Sequence, residues 1–363
     1  MNREERYMAL AIQMAKETVG QTSPNPAVAA IVVRDNQIVG MGVHLKAGEP
    51  HAEVHALSMA GEKAKGAEIY VTLEPCSHYG KTPPCSKAVI DAGIKRVIIA
   101  SHDPNPKVAG KGVEWMKSEG LEVQEGVLKQ EADALNETFF HYIEKKEPYV
   151  RLKTAMSLDG KIATASGESQ WITGEAARLD GHAYRHQSDA ILVGINTVLE
   201  DNPSLTTRIV GGGNHPVRVV LDTHLKTPPS SKLIQQQEAP TWIFVGSEVE
   251  EHKKEALSAY PHVSIIEQPD SPLDVQEVLA YLGQQNITSL LVEGGGTVAD
   301  AFVRAGKVDE VITYMAPKLI GGKEALTPVS GEGIRKLSEA AQFEFISTEQ
   351  MGEDIKIVSR KKG

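Results

Sequence analysis

The sequence predicts an α/β protein folded as two layered domains. Three observations carry this reading. Short β-branched runs alternate with stretches of helical periodicity along the whole chain, as expected for helices packed on sheets. The 363 residues suit about two domains at roughly 150 residues each. A helical pattern stops at Lys145-Lys146-Glu147-Pro148 and a strand pattern begins at Tyr149, so the expected domains are 1–147 and 148–363.

The elements follow in order. Tyr7, Leu10, Ala11 and Met14 recur at helical spacing, which predicts an amphipathic helix over 1–19. The turn-rich run Gln21-Thr22-Ser23-Pro24-Asn25-Pro26 ends it, and strands at 28–33 and 37–43 are joined through Asp35-Asn36, a hairpin turn. Helices are expected at 52–65, 86–92, 113–118 and 130–145, and strands at 68–73, 96–100 and 122–127. The second half alternates again. Its strands are expected at 149–156, 190–193, 217–221, 241–245, 263–266, 289–292 and 311–316, and its helices at 175–186, 249–258, 275–283 and 297–305.

Composition removes several function classes. Lys and Arg number 38 against 48 Asp and Glu, a net charge of −10, and only 5% of residues are aromatic. A nucleic-acid reader would carry a basic face or groove with stacking aromatics, so no nucleic-acid partner is expected. The longest apolar run, 27–33, has seven residues, far short of the roughly 20 that span a bilayer, so no membrane partner is expected either. Two cysteines exclude a disulfide framework, and a cytoplasmic setting is expected.

Those two cysteines carry the chemistry. Cys76 and Cys85 are nine positions apart, each follows a proline, and His51-Ala52-Glu53 lies upstream. One imidazole and two thiolates hold Zn2+ with a fourth position left for water, the arrangement of catalytic rather than structural zinc. His51, Cys76 and Cys85 are the expected metal ligands. Glu53, two residues from His51, is the expected proton shuttle. His51 and Cys85 both fall at predicted helix starts, where the helix dipole favours a thiolate. His51 and His55 also lie four apart, but a zincin requires glutamate directly after the first histidine, and Ala52 stands there.

The second half has no dinucleotide fingerprint of the G-x-G-x-x-G type. It does run from a predicted strand, Ser289-Leu290-Leu291-Val292, through Glu293 into Gly294-Gly295-Gly296-Thr297 and a predicted helix. Such a turn offers backbone N–H groups to a phosphate.

The His-x-Glu and Pro-Cys elements resemble the zinc-dependent cytidine/deoxycytidylate deaminase superfamily, whose signature is H-x-E followed by P-C-x-x-C. Here eight residues, not two, separate the cysteines. That longer segment, with Ser23-Pro24-Asn25-Pro26, His44 and Asp103-Pro104-Asn105-Pro106, resembles the riboflavin-pathway deaminases. The resemblance implies a cytidine-deaminase-like three-layer αβα first domain, with Asn25, His44, His78, Lys81, Asp103 and Asn105 as substrate contacts. From Tyr149 to Gly322, Lys153 to Ala163, Trp171-Ile172-Thr173, Asp189 to Thr197 and Asp201 to Arg208 resemble the riboflavin-pathway reductases, a dihydrofolate-reductase-like branch that uses NADPH. That implies Ala155, Trp171, Thr197, Asp201, Gly294, Gly295, Gly296 and Thr297 as NADPH contacts, and Ser169, Arg185, Leu205, Arg208 and Glu293 as substrate contacts. Arg185 and Arg208 suit a ribose 5′-phosphate as fork-like ligands, and Lys153 is the expected proton or hydrogen-bond donor to the sugar.

Over the whole chain the resemblance is to the bacterial bifunctional riboflavin-biosynthesis deaminase/reductases. It implies deamination of 2,5-diamino-6-ribosylamino-4(3H)-pyrimidinone 5′-phosphate followed by NADPH-dependent reduction of the ribosyl group to ribityl. The expected partner is thus a phosphorylated pyrimidine, and a homo-oligomer is expected.

Overall fold

The computed structural model describes residues 1–79, 83–105, 110–269 and 272–362. The chain divides into two compact units, Met1–Lys146 and Glu147–Gly363. Glu147, read from the sequence as the end of the first domain, pairs with Lys307 at 2.7 Å and so belongs with the second unit. Among the described residues no helix is long and apolar enough to cross a membrane.

The first unit contains α1 (Arg3–Lys16), β1 (Ala29–Arg34), β2 (Gln37–Val43), α2 (Ala52–Ala60), β3 (Glu68–Leu73), α3 (Cys85–Asp91), β4 (Arg96–Ser101), α4 (Lys111–Ser118), β5 (Glu122–Glu125), α5 (Lys129–Leu135) and α6 (Glu137–Lys145). The five strands lie in the order β2-β1-β3-β4-β5. β1 is antiparallel to β2 and β3, while β3, β4 and β5 run parallel. Alternate residues of the inner strands are apolar on both faces. One face packs Ala30, Val32, Ile69, Val71, Val97 and Ile99 against α2, α3 and α4. The other packs Ile31, Tyr70 and Ile98 against α1 and α5. The result is three layers, with both faces of the parallel strands covered.

One predicted helix is two. The expected helix at 130–145 breaks at Asn136 between α5 and α6. The buried Asn136 side chain accepts the Ala27 N–H at 2.9 Å and donates to the Ala27 carbonyl at 3.0 Å. Asn136 thus leaves helical geometry to pin the turn carrying Asn25. The expected helix at 52–65 also stops early, at Gly61, whose φ of 52° is left-handed.

The second unit contains β6 (Tyr149–Ser157), α7 (Glu175–His186), β7 (Ala190–Gly194), α8 (Ile195–Asp201), β8 (Val217–Leu221), α9 (Lys232–Gln235), β9 (Thr241–Val245), α10 (Glu251–Ser258), β10 (Val263–Glu267), α11 (Val275–Gln284), β11 (Ser289–Val292), α12 (Gly296–Arg304), β12 (Glu310–Ala316), β13 (Phe343–Met351) and β14 (Asp354–Lys361). Nine strands form one sheet in the order β10-β9-β8-β7-β11-β6-β12-β14-β13. It is parallel from β10 to β12 and closes with the antiparallel hairpin β13–β14, which the sequence reading leaves unassigned. α11 and α12 cover one face of the sheet, and residues from α7 to α10 contribute to the core on the other.

The strand order sets the place of the second site. From β7 the chain moves outward to β8, and from β11 it moves the other way, to β12. The connections therefore diverge at the neighbouring strands β7 and β11. A crevice opens at the carboxyl ends of such a pair, where open α/β sheets take their ligands.

Candidate active sites

The first site forms where β3 runs into Glu74-Pro75-Cys76. His51 is the N-cap of α2 and Cys85 the first residue of α3, so two helix N-termini face the end of this strand. Gly42 brings α2 close: a Cβ on it would stand 2.3 Å from the Ala52 carbonyl oxygen, an approach only glycine permits. His51 Nδ1 then lies 3.2 Å from Cys85 Sγ and 3.7 Å from Cys76 Sγ, and the Cys85 N–H donates to Cys76 Sγ at 3.3 Å. The three donor atoms lie within 4.8 Å of one another, and among the described residues no other histidine, cysteine or acid joins the group. One nitrogen and two sulfurs, with no fourth protein donor, fit a zinc ion that keeps a position open. The hydrogen bond from Cys85, with His51 alongside, pushes the Cys76 thiol well down toward thiolate.

Glu53 is 3% exposed, in the first turn of α2 and outside the donor trio. Burial pushes its carboxyl up to about 7, and the neighbouring Cys76 adds to the rise. A carboxyl beside a metal site and balanced near neutrality can both take and return a proton.

Histidine and backbone groups organise the residues expected to face substrate. His44 is buried. Its Nδ1 faces the Pro50 carbonyl at 3.2 Å and its Nε2 faces Asn25 Nδ2 at 3.0 Å. The carbonyl makes Nδ1 the protonated nitrogen, so Nε2 accepts from the Asn25 amide. Burial pushes the His44 pKa down, consistent with a neutral ring. Asp103 is buried, accepts the Asn105 N–H at 2.8 Å, and feels the charges of Glu74, His78 and Cys76. His44 lies edge-on to His51 with ring centres 5.2 Å apart and carries Asn25, while Asp103, bonded to the Asn105 N–H, interacts with Cys76 and His78. Lys81 lies outside the described residues.

The second site sits at the switch between β7 and β11. Glu293, directly after β11, is gripped by the Arg185 guanidinium through Nε at 3.0 Å and Nη2 at 2.9 Å, with Lys153 Nζ at 3.7 Å. Burial alone would raise the Glu293 pKa, but Arg185 and Lys153 outweigh it and hold the carboxyl down at about 2. The fork expected to bind phosphate is therefore closed on Glu293, and Arg185 Nη1 donates to the Thr206 carbonyl at 3.2 Å. Arg208 keeps an exposed side chain, while its backbone N–H donates to His182 Nδ1 at 3.3 Å. Burial, then Arg185 and Arg208, push the His182 pKa down to about 4.

The glycine turn is asymmetric. A Cβ on Gly294 would strike Val298 at 2.8 Å, and one on Gly296 would strike Ser330 Oγ at 2.5 Å. A Cβ on Gly295 would meet nothing closer than Thr197 Oγ1 at 4.0 Å. Gly295, the N-cap of α12, therefore faces open space at a helix start that has no acid in its first turn. A phosphate fits that cradle. Thr197 stands across from it on α8, and Asp201, exposed, ends the same helix.

The remaining expected contacts divide. Ala155 lies on β6, and Ser169 is half-buried in the loop after it. Trp171 is 63% exposed, with the Arg178 guanidinium 4.7 Å from its ring centre. Leu205 can offer only its backbone. Its side chain is buried in the core beneath β7 and β8, and its backbone is left-handed at φ 53°, so a ligand would meet its main chain.

Residues 148–357 match the RibD C-terminal domain, and residues 1–101 match the cytidine and deoxycytidylate deaminase zinc-binding region. The riboflavin biosynthesis protein RibD of Bacillus amyloliquefaciens is 49% identical over 359 residues, 99% of this chain and 96% of the relative. The chain belongs to the RibD family. The Escherichia coli relative is 43% identical, over 97% of this chain and 98% of its own. A Thermotoga maritima structure described as a diaminohydroxyphosphoribosylaminopyrimidine deaminase/5-amino-6-(5-phosphoribosylamino)uracil reductase superposes with a TM-score of 0.89 at 38% identity, covering 99% of each chain. RibD of Acinetobacter baumannii gives 0.87 at 38% identity, also over 99% of each chain. The protein is accordingly a bifunctional enzyme of riboflavin biosynthesis, with a cytidine-deaminase-like domain of the zinc-binding type and a dihydrofolate-reductase-like reductase domain.

Within this RibD framework the sequence reading passes over three residues. Asn136 pins the Asn25 turn. His182 shares a face of α7 with Arg185, three residues on, which is the signal that could have found it. Tyr314 on β12 lies under Lys153, whose Nζ is 5.8 Å from the ring centre, and its hydroxyl donates to Asp180 at 2.5 Å.

Proposed function

We propose that the first unit hydrolyses the 2-amino group of 2,5-diamino-6-ribosylamino-4(3H)-pyrimidinone 5′-phosphate, and that the second reduces the ribosyl group of the product to ribityl with NADPH. The observation that carries the reading is the His51–Cys76–Cys85 trio with the Glu53 carboxyl beside it. Zinc bound there supplies Lewis acidity and a coordination position open to water. Glu53 takes the proton of the attacking water and returns it to the departing nitrogen, so water is consumed and ammonia leaves. Asn25 and His44, locked to each other, present fixed polar groups to the ring. Asp103 and Asn105 face it from the loop after β4.

In the second unit, reduction breaks the sugar C1′–O4′ bond, adds hydride at C1′ and a proton at O4′. NADPH supplies the hydride. Lys153, held by Glu293 and lying over Tyr314, donates to the sugar oxygen. Thr197, Gly294, Gly295, Gly296 and Thr297 would hold a cofactor phosphate, and Arg208 the substrate phosphate.

Two variants test that division. A Cβ on Gly295 meets nothing closer than 4.0 Å and points into the cradle, so Gly295→Val is expected to raise the KM for NADPH and leave deamination unchanged. Arg208→Ala is expected to weaken substrate in the reductase by about 10–100-fold, the value of a charge-assisted hydrogen bond of roughly 1.5–3 kcal/mol, with NADPH binding spared. Paired titrations of each variant decide it. If Arg208→Ala weakens NADPH and not substrate, the two phosphate sites must be exchanged.

A further inference from the structure

Glu74 has no part in the chemistry above, yet its side chain is fully buried one residue before Pro75-Cys76. It closes a junction between three segments. Its carboxylate accepts the His102 Nδ1–H at 3.3 Å, the Gly110 N–H at 3.0 Å and the Gly112 N–H at 3.2 Å. His102 immediately precedes Asp103, and Gly110 and Gly112 open α4. The packing leaves little slack. A Cβ on Gly112 would stand 2.3 Å from the Pro75 carbonyl oxygen and 3.3 Å from Glu74 Oε1, so α4 begins in direct contact with the strand end. A carboxylate at a helix N-terminus, taking two of its unpaired N–H groups, is an anchor stronger than a neutral acceptor would make.

We propose that Glu74 is a positioning residue for deamination: it fixes the departure of the loop at His102 and the start of α4 at Gly110, and so sets Asp103 and Asn105 against the substrate. The inference rests on the reading that Asp103 contacts the pyrimidinone. A carboxylate is required because three donors converge on its two oxygens. His102 and Gly110 share Oε2 and Gly112 takes Oε1, so a glutamine, with one acceptor oxygen, turns an N–H2 toward at least one of the three donors. Glu74 acts on binding geometry, while His51, Cys76 and Cys85 keep their own support from α2 and α3.

The test uses the full-length, zinc-loaded protein and the pyrimidinone phosphate. Glu74→Gln is expected to retain zinc at the wild-type ratio and to raise the deaminase KM about 10-fold with kcat little changed, as for a loss of ground-state binding. His102→Ala, at a half-exposed side chain, removes one of the three donors and is expected to raise KM by a smaller factor in the same direction. In a double-mutant cycle, Glu74→Gln with Asp103→Asn should be no worse than the poorer single variant, because one acts through the other. Additive losses, loss of zinc from Glu74→Gln, or an unchanged KM in both Glu74→Gln and His102→Ala would overturn the proposal. An Asp103→Asn variant with wild-type KM would instead remove the substrate reading on which it stands.

Discussion

Glu53→Gln is expected to bind zinc as the parent does and to lose deamination by about 10²–10⁴-fold, the usual contribution of a positioned general acid–base group. The amide matches the carboxylate in shape, so the buried site beside His51 should accept it without repacking. It cannot take a proton from water, so the loss falls on kcat. Metal analysis together with product formation decides it: one zinc per chain with near-parental turnover would remove Glu53 from the mechanism. NADPH oxidation on the deaminated substrate should continue at the parental rate, since the groups proposed for reduction, from Lys153 to Thr297, lie in the other unit.

Cys76→Ser should abolish deamination outright. Serine is a poor zinc ligand at neutral pH, and a trio reduced to His51 and Cys85 has too few donors for tight binding. The same change takes away the sulfur that accepts the Cys85 N–H at the start of α3. The expected result is a folded chain with little zinc, no deaminase turnover and an active reductase. Collapse of both activities in a protein whose circular dichroism is unchanged would show that the two sites are coupled.

Much of this was legible in the sequence because it depends on residue type at fixed spacing. The metal trio is such a case: it needs only His51, Cys76 and Cys85 at the ends of successive elements. The parallel strands read clearly because burial on both faces makes them continuously apolar. The hairpin of β13 and β14 did not, since β13 is an edge strand with mostly exposed residues, Phe345 at 79% among them, and shows no apolar alternation. The break at Asn136 was hidden because its cause, Ala27, lies 109 positions away. The resemblance makes Arg185 a substrate contact, and charge and shape suit it to phosphate. Its partner Glu293, 108 positions on, was named for another purpose, and only the fold brings the two together. Long-range pairing of polar groups leaves no local pattern, and most of what periodicity missed is of that kind.

The central claim is that one chain performs two successive reactions on one phosphorylated pyrimidine. The most direct measurement incubates the zinc-loaded protein with 2,5-diamino-6-ribosylamino-4(3H)-pyrimidinone 5′-phosphate, with and without NADPH, and identifies the products by mass. Without NADPH, the product should have exchanged one NH for O and released ammonia. With NADPH, it should carry two further hydrogens, matched by one cofactor oxidised per ribityl formed. An unaltered pyrimidinone in both arms, or a reduced sugar on a ring that still bears its 2-amino group as the only product, would contradict the account.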